Sequence, residues 1–172
     1  MEDVPADRRL DMTARSETFA DSSTWLTHER AAKVLRWAAV AYAIAWAIHT
    51  GDHIRRGTGV VTTEVFAAGS IVAILQLSAV AAVFLRSRWA PALAVAIGFP
   101  DAIGIAAVHL LPHWGSFSDA FPGANGTGVT VFSWFAAIVE IVAALGFGIA
   151  GAYALQATRS RSVATAGEPA GA

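Results

Sequence analysis

The sequence predicts an all-α protein, a bundle of four transmembrane helices with both termini in the cytoplasm and disordered ends. Three observations lead there. The 172-residue chain is 55% hydrophobic and only 15% charged, whereas a soluble domain carries about a quarter of its residues charged. Its mean hydropathy is +0.52. The charge is also segregated, falling almost entirely in the first 36 residues, two short arginine-bearing loops and the tail.

A bilayer core about 30 Å thick needs roughly 20 apolar residues in a helix, and four windows supply them. The first is 31–49, opened by Lys33 and Arg36, whose long side chains can snorkel to the headgroups. The second, 64–85, contains no charge from Val65 to Leu85. Thr62 and Thr63 precede it as N-cap residues, and Glu64 complements the helix dipole. The third, 89–111, holds one acid, Asp101, and the fourth, 129–155, holds one, Glu140. Continuous apolar runs of this length disfavour both a soluble bundle and an alternating β-barrel.

Ten of the twelve lysines and arginines fall before or at the start of span one, between spans two and three, or after span four. Only Arg55 and Arg56 lie on the other side. The excess of positive charge on the cytoplasmic side of membrane proteins then places both termini inside a plasma (bacterial inner) membrane. Trp25, Trp37, Trp89, Trp114 and Trp134 lie near span ends, as an aromatic belt does. The domain reading is a mostly disordered cytoplasmic segment over 1–30, a transmembrane domain over 31–155, and a disordered cytoplasmic tail over 156–172. A weak amphipathic pattern over 24–33 fits a surface-lying stretch. The Gly- and Pro-rich run 112–128 reads as an irregular outer loop.

Absent cysteine excludes disulfides, thiolate metal sites and cysteine nucleophiles. A net charge of −1 gives no reason to expect nucleic acid as a partner. The first thirty residues hold no apolar stretch of the signal-peptide kind. No serine-hydrolase elbow, phosphate loop or dinucleotide fingerprint is present. The expected partners are the lipid bilayer and a second copy or a larger membrane complex.

Four of the five histidines, His49, His53, His109 and His113, fall at the outer face. In the run His49-Thr-Gly-Asp52-His53, positions 49, 52 and 53 share one face if the helix continues through Gly51. Two imidazoles and a carboxylate there make a partial site for zinc, copper or iron. Taken alone, a polar helix end closed by Gly51 is the stronger reading. His109 and His113 have the spacing at which two imidazoles on one helix chelate a metal, but Pro112 between them tends to end the helix. Because both groups share one depth, together they predict a metal site, or a haem b, with His49, His53, Asp52, His109 and His113 as candidate ligands.

Deeper lie Asp101, directly after Pro100, together with Glu140 and Gln76. Acids at bilayer depth are costly unless neutral, paired or hydrated, and no lysine or arginine lies at that depth. They read equally as a proton relay or as interhelical hydrogen bonds to each other, to Gln76 or to Ser133. Glu140 shares a small-residue stripe with Ala136, Ala144, Gly148 and Ala152, so it faces the bundle.

The segments His49-Thr-Gly-Asp-His-Ile-Arg-Arg-Gly57 and Val108-His-Leu-Leu-Pro-His-Trp114 resemble small four-helix integral membrane proteins of bacteria. The resemblance covers the spans, implies the fold and implies no activity. Three functions follow from the residues: a metal- or haem-binding membrane protein, redox-active in one version; a small oligomeric proton-coupled transporter using Asp101 and Glu140; or a non-catalytic accessory subunit.

Overall fold

The computed structural model describes the backbone of residues 6–166, and the side chains of 28–57 and 59–158. The order is α1 (Ala6–Arg56), a short 3-10 turn (Thr58–Val60), α2 (Thr63–Phe84), α3 (Ala90–Ile105), a π turn (Ala106–Leu110) and α4 (Val131–Ala166). No strand occurs among the described residues. Four stretches are long and apolar enough to cross a membrane: His28–Arg56, Thr63–Phe84, Ala90–Leu110 and Val131–Thr158. They coincide with the four predicted spans, and the first extends two turns past its predicted end at His49. Of the ends expected to be disordered, 1–30 and 156–172, the backbone is helical from Ala6 and up to Ala166, and residues 1–5 and 167–172 lie outside the described residues.

Helix ends follow local chemistry. The Thr62 hydroxyl accepts a hydrogen bond from the Val65 N–H at 3.1 Å and caps α2. At the other end, the Ser87 N–H bonds the Ala82 carbonyl (2.9 Å) and the Arg86 N–H that of Val83 (3.1 Å). This is a Schellman closure with Arg86 in the left-handed position at φ 54, and it turns the chain directly into α3. Leu111, ahead of Pro112, is extended (φ −80, ψ 152), which ends the third span. α1 continues through Gly51 and stops at Gly57, whose φ of 85 suits glycine.

α4 packs chiefly on α1 and α3, while α2 lies at the edge and buries only Gln76, Ala79 and Val83. The core is built of small residues, with Ala39, Ala94, Ala136 and Ala144 all fully enclosed. Small side chains let the backbones approach. A Cβ on Gly98 would sit 2.6 Å from the Ala144 carbonyl oxygen, and one on Gly151 2.7 Å from that of Pro91. Large apolar side chains such as Ile44, Ile74, Ile103 and Val142 point outward, the arrangement lipid favours and water does not.

Candidate metal centre

The end of the bundle that carries loop 111–130 holds the polar groups. Because α1 stays helical through Gly51, His49, Asp52, His53 and Arg56 lie along one side of its last two turns. The π turn at the end of the third span carries His109 inward, where it is buried. Such turns shift the register of a helix by one residue and recur at functional sites. The result is a cluster of His49, His53 and His109, with one nitrogen of each ring within 4.8 Å of those of the other two. Ring centroids are 4.9 Å apart for His49–His53 and for His49–His109, and 5.4 Å for His53–His109.

The partners of these rings decide which nitrogen is free. His109 Nδ1 lies 3.1 Å from the Asp119 main-chain oxygen, an atom that only accepts, so Nδ1 carries the proton and Nε2 the lone pair. His49 Nδ1 is hydrogen-bonded to Glu140 Oε2, while Glu140 Oε1 accepts from Gln76 Nε2 at 3.1 Å. His49 Nε2 is buried and has no hydrogen-bond partner. His53 Nδ1 is 4.0 Å from Asp119 Oδ2, and the same oxygen is 3.5 Å from His109 Nδ1. His49 and His109 therefore turn Nδ1 towards an acidic and a carbonyl oxygen, and Nε2 of His49 is left without a partner. That is how protein matrices orient metal-binding histidines.

Asp119 is held by Arg56, whose Nη1 and Nη2 donate to its two oxygens at 2.7 Å each. Burial alone would raise the Asp119 carboxyl. The Arg56 guanidinium, helped by His109 and His53, overrules this and holds it below the usual carboxylate range. Arg56 also donates through Nε to the Thr127 carbonyl at 3.1 Å and lies over the Phe121 ring, 5.4 Å from its centroid. Loop 111–130 is thereby fastened over the cluster. The Asp119 N–H bonds the Val108 carbonyl (3.1 Å) and the Phe121 N–H that of His109 (2.9 Å), while Phe121 packs on His109 at 4.6 Å between centroids.

Not every predicted residue joins the cluster. Asp52 is fully buried, but its Oδ1 is engaged by Arg55 (2.7 and 3.0 Å) and by the Ser133 hydroxyl (3.1 Å). Its Oδ2 has no partner. His113 lies beyond Pro112 in the loop, exposed and outside the cluster. Glu140 and Gln76 form the layer behind His49. Asp101 lies deeper and accepts from the Tyr42 hydroxyl at 2.7 Å; Gln76, which donates to Glu140, also bonds Asp101, so the two acids are linked through Gln76 rather than directly.

Tyr42 and the Arg56–Asp119 pair were not singled out by sequence reasoning. Tyr42 is seven residues before His49, two turns down the same stripe, and that spacing was the available signal.

A porphyrin between two of these imidazoles would need them on opposite faces of a flat macrocycle. The three rings touch one another, which leaves no room for one. The cluster could hold a metal ion. Compared with known protein families, curated proteins and solved structures, the chain matches none.

Proposed function

We propose that this chain is a multi-pass plasma-membrane protein, with both termini cytoplasmic, that holds one transition-metal ion at its outer end through Nε2 of His49, His53 and His109. The observation that carries this reading is the orientation of the three rings, above all the buried, unpartnered Nε2 of His49 beside two further imidazoles. Three neutral nitrogen donors suit zinc, copper, iron or nickel. At a metal–nitrogen distance of about 2.0–2.1 Å, tetrahedral ligand nitrogens stand about 3.3 Å apart. The rings therefore draw together by somewhat over about 1 Å on binding.

Three protein ligands leave a fourth position for water or an incoming group, as sites that do chemistry or exchange their ion require. Glu140 and Asp119 orient His49 and His109 from behind without occupying the ion's coordination positions. The reading is tested by elemental analysis and zinc or copper titration of the detergent-purified protein. Wild type is expected to bind about one ion per chain, and His49→Ala/His109→Ala none. Equal metal content in the two would remove the proposal.

A further inference from the structure

We infer that the three-histidine centre exchanges its ion with one aqueous phase only, the one facing loop 111–130, and that the protein holds metal at that face without carrying it across the bilayer. This rests on the metal reading above and adds a direction to it.

The argument comes from how polar groups are distributed along the bundle. All ten buried polar or charged side chains among the described residues lie between the middle of the bundle and its loop end. The innermost are Gln76, Asp101 and Glu140, near the midpoints of their helices. Beyond them the core is Leu35, Ala39, Val83, Ala90, Ala94 and similar residues, with no polar side chain among the buried ones. An ion or its water needs oxygen or nitrogen lining at every step of a path through a membrane. Among the described residues, the buried core of the inner half provides none.

Nor does it provide a lumen. Tyr42 and Phe147 are fully enclosed and stack with centroids 5.0 Å apart directly beneath the polar layer. Below them α3 and α4 touch backbone to backbone at Gly98 and Gly151. A groove between α1 and α4, lined by Val34, Ala38, Val142 and Gly146 among others, is apolar but for Tyr153, and one phenol makes no path for an ion. At the loop end the situation reverses. The His53 side chain is 32% exposed, and it joins the buried His49 and His109 to the surface.

The test uses the metal-loaded protein in sealed vesicles. The native chain has no cysteine, so Ser116→Cys in the exposed loop gives a single handle for a membrane-impermeant maleimide. Labelling reports the fraction of molecules with the loop outward. Impermeant EDTA added outside is expected to strip zinc from that fraction alone, the remainder being released only when detergent opens the vesicles. Complete stripping from intact vesicles, or zinc uptake into them that His49→Ala abolishes, would overturn one-sided access. Protein that carries no zinc before reconstitution would overturn the metal reading itself and this inference with it.

Discussion

At the scale of single residues, Glu140 and Asp119 act on the centre through the imidazoles they hold. Glu140→Gln removes the charge behind His49 while keeping the shape of the side chain. Metal affinity is expected to fall about 10–100-fold with the fold intact, read by competition with a calibrated chelator; unchanged affinity would show that the contact is only interhelical packing. Asp119→Asn leaves the buried Arg56 guanidinium without its counter-charge, at a cost of about 3–5 kcal/mol in unfolding experiments. The sign of its pH dependence follows from the depressed carboxyl. Its stabilisation is complete above the ordinary carboxylate value of 3.8 and disappears as pH falls through the lower folded value. Thermal unfolding in detergent is therefore expected to separate wild type from Asp119→Asn at neutral pH, with the gap closing below about pH 3.8. His49, His53 and His109 were legible from spacing and depth. Asp119 as their partner was not, because a loop's return path over a helix end leaves no hydropathic period to read.

At the scale of elements, helix contacts are set by where a side chain is missing. Gly98→Ala drives a methyl group into the α4 backbone, which cannot give as a flexible side chain does. A loss of about 1–3 kcal/mol is expected in the same unfolding assay. Gly104→Ala, one and a half turns further along α3 with open space around it, is expected to be neutral or stabilising by up to about 1 kcal/mol. Equal effects would mean that α3 and α4 do not meet at Gly98.

The four spans could be read from hydropathy because each is a long continuous run with polar flanks. The end of α1 was harder. Gly51 reads as a stop, yet the helix passes through it to Gly57, and that continuation brings His53 and Arg56 onto the His49 side. The π turn that carries His109 inward is likewise silent in a sequence of evenly apolar residues.

At the scale of the whole molecule, two asymmetries run along the same axis. Basic residues gather at one end of the helices, and buried polar groups gather towards the other. The fold positions a charged cluster where loop 111–130 can reach it, and closes the opposite half with alanine, glycine and two stacked aromatic rings. The charge bias predicts that reporters fused to either terminus read as cytoplasmic, and that a reporter placed in loop 111–130 reads as external. The central claim is more specific than topology: three imidazoles, from α1 and the end of the third span, bind one ion. X-ray absorption at the metal edge of the loaded wild-type protein tests it most directly. The account predicts three imidazole nitrogens at about 2.0–2.1 Å with one oxygen neighbour, falling to two imidazoles in His53→Ala. A coordination shell without imidazole, or one unchanged in His53→Ala, would contradict it.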